Sequence, residues 1–234
     1  MVHDVLEAWL PLRLLNAQPS RRNGAHRVYF GDGQPILVMP EFGGGAETTS
    51  KFRRVLREAG FATHDWGLGA DNGPVNGLSP LLRQIEERVI DVFEADRRAV
   101  TLVGLGLSGI YAREVAKRTT PLVSRVITIG TPLRILDAAG SCAMLRALFA
   151  PEAGVGSAAI NRMRQRPPVS CTSIYTVADE AVPCDLAQDV ESLTSENIVV
   201  PAHRHHDLAL HPMTIEAVTQ RVSRPEPNWR SFDA

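Results

Sequence analysis

The chain has 234 residues, of which 44% are hydrophobic and 22% are charged, with a formal net charge of −1. This size predicts a single domain over residues 1–234, and the balanced charge argues against nucleic acid as a partner. Asp4, Glu7 and Arg13 interrupt the amino-terminal stretch, which argues against a signal peptide and a membrane-spanning helix. The odd number of cysteines, three without CxxC spacing, predicts reduced thiols and a cytoplasmic protein.

Seven apolar, β-rich runs follow this stretch in chain order. They are HRVYF, PILVMP, FATHDW, AVTLVG, SRVITIG, CTSIYTVAD and ENIVVP. Apolar residues at helical spacing predict helices at TTSKFRRVLREAG, LSPLLRQIEERVIDVFEA, SGIYAREVAKR and HPMTIEAVTQRV. Only GDGQ separates the first two runs, which predicts a hairpin. The later alternation predicts an α/β fold: a mostly parallel central sheet with helices on both faces and functional residues beyond the carboxyl ends of the strands.

The segment VGLGLSG allows two interpretations. The first is the G-x-G-x-x-G turn of a dinucleotide site, with Gly104, Gly106 and Gly109 as its glycines. That turn belongs in the first strand-helix unit, and an acidic residue should end the next strand. Here earlier strands precede the turn, and the next strand ends in Gly-Thr-Pro without an acid. We therefore expect no nucleotide cofactor.

The second interpretation is a nucleophile elbow of the G-x-S-x-G type, in which a strained residue joins a strand to a helix. Small residues must flank the corner, and Gly104 and Ser108 satisfy this when the corner is position 106. If Ser108 were the corner, the bulky Ile110 would occupy a flank. Ser108 is therefore predicted to be a spacer, and Gly106 to stand at the vacated nucleophile position.

The stretch VTLVGLGLSGIYAREVAKR, followed by SRVITIGTP, resembles the α/β-hydrolase superfamily, in particular its small bacterial esterase- and lipase-like members. PILVMPEFGGG, HDWGLGADNGP, PPVSCTSIYTVADEAV and EPNWRSF are similar to further segments of these proteins and occur in the same order. The resemblance covers nearly the whole chain. It implies the α/β-hydrolase fold, a short lid-like insert at about 133–169 and a carboxyl-terminal tail at 224–234.

The resemblance also implies a catalytic triad in the order nucleophile, acid, histidine. Asp179 follows a late strand and is the expected acid, whereas the adjacent Glu180 would point differently. The last loop, PAHRHHDLALHP, offers His203, His205 and His206. The family's histidine stands seven residues before the proline that opens the final helix, which favours His205. This loop looks one residue longer than in the family, so His206 stays a close second.

The oxyanion hole that the resemblance implies uses the backbone N–H groups of Phe42 and Leu107. Glu41 stands where the family usually has glycine, and an inward carboxylate would oppose the developing negative charge. We therefore expect Glu41 to face solvent. The histidine-rich loop lacks the ligand spacing of a zinc site, and no H-E-x-x-H helix is present, so we expect no metal.

Glycine has no hydroxyl for acyl transfer, and loss of the nucleophile typically lowers turnover on the order of a million-fold. The resemblance therefore implies a chain of ester-hydrolase lineage. With Gly106 in place of the nucleophilic serine, this chain is expected to be inactive or nearly so. Either the glycine was introduced into an active parent, or it is natural and the chain is a pseudoenzyme. The expected partner is a small hydrophobic ester or acid. Two alternatives remain: a binding module for such a molecule, or a non-covalent lyase or cyclase with His205 as general base.

Overall fold

The computed structural model of the chain describes residues 27–134 and 157–224. Most of the predicted lid-like insert lies outside these residues, as does the tail apart from Arg224. The expected single domain over 1–234 therefore stays a prediction.

Strands and helices alternate along the described part of the chain. The strands are β1 (Pro35–Met39), β2 (Ala62–Asp65), β3 (Val100–Leu105), β4 (Val123–Ile129), β5 (Ser170–Tyr175) and β6 (Ser195–Val199). The helices are α1 (Ala46–Glu58), α2 (Leu78–Asp96), α3 (Ser108–Arg118), α4 (Ser157–Arg164), α5 (Cys184–Ala187) and α6 (Pro212–Ser223). A short 3-10 helix at His205–Asp207 precedes α6.

The strands form one sheet in the order β2-β1-β3-β4-β5-β6, and every neighbouring pair is parallel. The predicted hairpin is wrong. No strand forms at residues 27–30, and the next segment bonds instead to the end of α1, where the Gly31 N–H donates to the Ala59 carbonyl at 2.8 Å. A short spacing predicts a turn, but it does not decide which backbone the preceding run pairs with. The sheet is therefore parallel throughout the described residues.

Successive residues of the central strands point to opposite faces of the sheet, and both faces are buried. On β1, Leu37 and Met39 pack into a core formed with α2 and α3. Ile36 and Val38 pack into a second core formed with α1 and α6. This two-sided burial explains why PILVM reads as a continuous apolar run. Because the strands are parallel, all their carboxyl ends lie at one edge of the sheet.

Helix α6 is fixed to the sheet by a buried ion pair. Arg221 is 2% exposed, and its Nη2 donates to Oε2 of Glu196 on β6 at 2.7 Å. The hydroxyl of Thr172 on β5 donates to the other carboxylate oxygen at 2.9 Å. Two strands and the last helix are therefore joined through one carboxylate.

Within residues 27–134 and 157–224, no helix has the length and apolar character needed to cross a membrane.

Candidate active site

The turn between β3 and α3 depends on glycine. Gly106 lies at its corner with φ +55°, a left-handed conformation that side chains rarely adopt. A Cβ built on Gly104 would lie 2.4 Å from Cα of Gly109, so strand and helix meet backbone to backbone. The turn thus has the tight strand-to-helix geometry of an elbow.

Ser108 is enclosed behind this corner. The residue is fully buried, and its hydroxyl lies 2.9 Å from the carbonyl of Leu105 and 3.1 Å from that of Met39. A hydroxyl held by backbone carbonyls has no access to a ligand, which fits a spacer.

Asp179 and His205 meet at the carboxyl end of the sheet. Oδ2 of Asp179 lies 2.7 Å from Nδ1 of His205, and the two side chains are 1% and 9% exposed. Oδ1 of Asp179 accepts the backbone N–H groups of Ala181 and Val182 at 2.9 and 2.8 Å. Because both oxygens are engaged, the carboxylate is fixed and can hold the imidazole in one orientation.

Two residues that sequence reasoning did not select support His205. Oε2 of Glu180 accepts the His205 backbone N–H at 2.9 Å, and this hydrogen bond lowers the pKa of the Glu180 carboxyl. Gly130 follows β4 with φ +60°, and a Cβ there would lie 2.6 Å from Cε1 of His205. The glycine of the segment IGTP could have indicated this close approach from the sequence, because it follows a strand that ends beside the site.

The other ring nitrogen of His205 faces the corner. A Cβ built on Gly106 would lie 3.7 Å from Nε2 of His205, with no contact closer than 3.5 Å. A Cβ at position 106 would therefore face the imidazole at ordinary contact distances. The corner at Gly106, the imidazole of His205 and the carboxylate of Asp179 therefore lie next to one another in this order.

Glu41 points into this space, so the expectation that it faces solvent is wrong. Its Cγ lies 3.5 Å from the Cβ position of residue 106. Its Oε1 lies 3.8 Å from Nε2 of His205, and its Oε2 lies 3.3 Å from Nδ1 of His206. The side chain is 29% exposed. The physical reason has two parts. Two imidazoles on one side give the glutamate polar partners, and the lack of a side chain at position 106 leaves space for it.

The remaining histidines of the last loop differ from His205 in burial. The His206 side chain is 79% exposed, and its ring packs edge-on against that of His205 with centroids 5.8 Å apart. His203 is exposed. His205 is the one that contacts Asp179. No group of three or more residues suited to a metal occurs in the described part of the chain.

Phe42 and Leu107 belong to two different connections, those after β1 and β3. Phe42 follows Glu41 in a loop tied to residue 71, where the Gly43 N–H donates to the Asp71 carbonyl at 2.7 Å. Leu107 is the residue before α3, so its N–H lies at a helix amino terminus. Such N–H groups can stabilise negative charge at the corner.

Asp71 holds the loop that contains Phe42 through hydrogen bonds. It is 1% exposed, and burial raises the pKa of its carboxyl. Its N–H donates to the Gly44 carbonyl at 2.7 Å, and its Oδ1 accepts the Gly73 N–H at 2.9 Å. The backbone of residues 41–45 is therefore anchored to the loop after β2.

Solved α/β-hydrolases match most of the chain. A metagenome-derived lipolytic enzyme of the pair LipS and LipT has a TM-score of 0.61 at 17% identity, covering 85% of this chain and 96% of that one. Est1E from Butyrivibrio proteoclasticus has a TM-score of 0.55 at 15% identity, covering 82% and 86%. N-formylmaleamic acid deformylase from Pseudomonas putida S16 has a TM-score of 0.51 at 14% identity, covering 83% and 94%.

No family model matches the chain, and no curated protein matches it in sequence. The structural likenesses, all at 17% identity or less, bear on the fold. Together with the parallel six-stranded sheet and its flanking helices, they show that the chain has the α/β-hydrolase fold.

Proposed function

We propose that the chain is an α/β-hydrolase-fold protein of carboxylic-ester hydrolase lineage, esterase- or lipase-like, with Gly106 at the nucleophile position. The observation that carries the proposal is the placement of His205. Its Nδ1 lies 2.7 Å from Asp179, while its Nε2 lies 3.7 Å from the position of a Cβ on residue 106. A base oriented by a carboxylate and aimed at an elbow is the arrangement of acyl transfer.

Each residue then has a role in this chemistry. Asp179 orients the imidazole, and His205 accepts the proton of a nucleophile at position 106. The backbone N–H groups of Phe42 and Leu107 stabilise the oxyanion of the tetrahedral intermediate. Gly106 has no proton to give, so no acyl-enzyme forms, and the chain is nearly inactive as an ester hydrolase.

The ligand that suits this lineage is a small hydrophobic ester, or the acid derived from it. The solved structures with this fold include a lipolytic enzyme and a deformylase. We place the protein in the cytoplasm because Cys171 and Cys184 are free thiols, as expected in a reducing compartment.

The test is the Gly106→Ser variant, with Gly106→Ala as its matched control. Both variants add a Cβ at the same positive φ, so they share the backbone strain of about 1 kcal/mol. They differ only in the hydroxyl. We expect Gly106→Ser to hydrolyse p-nitrophenyl butyrate at least about tenfold faster than Gly106→Ala, since a general base contributes factors of this size or more.

A fluorophosphonate probe gives a second measurement, because it labels only an activated nucleophile. Gly106→Ser should be labelled at residue 106, and Gly106→Ala should not. Folding is checked by urea unfolding of both variants. Absence of labelling and of hydrolysis in folded Gly106→Ser, and also in a folded variant that combines it with Glu41→Gly, would contradict the proposal.

A further inference from the structure

Two residues that depart from the family pattern are spatial neighbours. In the resemblance to α/β-hydrolases, Glu41 stands where these proteins usually have glycine, and Gly106 stands where they have the nucleophile serine. Although they stand on different loops, Cγ and Cβ of Glu41 lie 3.5 and 3.8 Å from the Cβ position of residue 106. The glutamate stem therefore packs over the place that the nucleophile side chain would take.

The Glu41 carboxylate also faces the nitrogen that a nucleophile would use. Its Oε1 lies 3.8 Å from Nε2 of His205. Its other oxygen lies 3.3 Å from Nδ1 of His206. Asp179 already contacts Nδ1 of His205, so the imidazole lies between two carboxylates.

A carboxylate at this place affects two steps of acyl transfer. It takes up space beside Nε2 of His205 that a serine hydroxyl would need. It also lies next to Phe42, whose backbone N–H is the proposed oxyanion donor, and so brings like charge close to the developing oxyanion. Charges a few ångströms apart interact strongly at a partly buried site.

We propose that Glu41 is a second determinant of the site: it takes the side of His205 that faces the elbow, so that residues 41 and 106 together decide whether serine hydrolase chemistry runs. This inference rests on the proposed function. Restoring the hydroxyl alone leaves the site opposed by the Glu41 charge, whereas removing Glu41 as well opens both the imidazole and the oxyanion hole.

The experiment is a mutant cycle with four chains: the unchanged protein, Gly106→Ser, Glu41→Gly and the double variant. Adding Glu41→Gln to Gly106→Ser removes the charge while keeping the size of the side chain. Adding Glu47→Gln to Gly106→Ser is the control, because Glu47 is an exposed carboxylate on the first turn of α1. Steady-state kinetics with p-nitrophenyl butyrate and the rate of fluorophosphonate labelling are measured for each.

We expect Glu41→Gly to raise kcat of the Gly106→Ser chain at least about tenfold, with a smaller change in KM, because the charge acts on the transition state. Glu41→Gln should give much of this gain, and Glu47→Gln should give none. Glu41→Gly alone should stay inactive, since it has no nucleophile. The labelling rate should rise with kcat.

Different outcomes separate this inference from the proposed function. If Gly106→Ser is active and the double variant is no faster, the Glu41 inference is overturned and the lineage stands. If neither is active while both fold, both proposals fail. A gain with Glu41→Gly but none with Glu41→Gln overturns the charge argument. If the unchanged chain hydrolyses the ester and Glu41→Gly abolishes this, Glu41 is itself catalytic and the inference is wrong.

Discussion

The imidazole of His205 rests against a residue without a side chain. A Cβ on Gly130 would lie 2.6 Å from Cε1 and 3.0 Å from Nδ1 of that ring. The adjoining atoms belong to a ring held by Asp179 and by its own backbone, so the ring has little freedom to move away. At this position glycine is required both for φ and for the close approach.

Gly130→Ala is therefore expected to displace the His205 ring and to lower the free energy of unfolding by about 1–3 kcal/mol. In the Gly106→Ser background it should also abolish fluorophosphonate labelling. Gly33→Ala is the matched control, because Gly33 has φ +88° with no atom within 4 Å of its Cβ position. Equal loss of stability in both variants, with labelling retained, would show that the contact with His205 is unimportant.

At the residue scale, the sequence predicted which loops carry the candidate site residues, but it did not predict the direction of every side chain. The resemblance to α/β-hydrolases, with its triad order, led to Asp179 and His205, which do contact each other. Their catalytic roles stay predictions. The inward turn of Glu41 was missed, because it depends on two imidazoles from a loop more than 160 residues further along the chain. No local pattern carries that information.

At the scale of the elements, the position of α6 depends on an ion pair that the apolar periodicity of the helix sequence does not indicate. Arg221 and Glu196 are 2% and 9% exposed, and they pair across the helix and β6. Removing one partner of a buried ion pair leaves the other charge without compensation. This helix follows directly after the His205 loop, so its position bears on the site.

Glu196→Gln is expected to lower the free energy of unfolding by about 3–5 kcal/mol, measured by urea denaturation. Glu86→Gln is the matched control, because Glu86 pairs with Arg118, whose side chain is 42% exposed. A surface pair of that kind contributes about 0–1 kcal/mol. Similar small losses in both variants would mean that the buried pair is dispensable.

The sequence pattern located most elements because buried parallel strands and amphipathic helices have different periods. It failed at the first run, where residues 27–30 form no strand. Apolar β-rich composition fits an extended segment, but pairing needs a free strand edge nearby. The edge beside β1 is already taken by β2, so that run ends up against α1 and α6, where the Tyr29 N–H donates to Thr219 at 3.3 Å.

At the scale of the whole molecule, the two cysteines in the described part of the chain lie in different environments. Cys171 lies within β5 and is 4% exposed, and burial raises the pKa of its thiol to about 12. The thiolate is the reactive form, so a thiol both buried and protonated at neutral pH is inert. Cys184 begins α5 and is half-buried.

Iodoacetamide is therefore expected to modify Cys184 of the native protein well before Cys171, with both reacting at similar rates in urea. Peptide mass spectrometry over a time course measures the two rates separately. Equal modification rates of the two cysteines in the native protein would mean that the sheet opens at β5 on the time scale of labelling. This would contradict the expectation from a strand that is buried on both faces.

The corner, the acid, the imidazole and the glutamate each come from a different connection: those after β3, β5, β6 and β1. The sheet beneath them is held by its own two cores, which the side chains of these four residues do not form. A substitution at one of these four positions can therefore change the groups that a ligand meets, while the sheet that carries them stays folded.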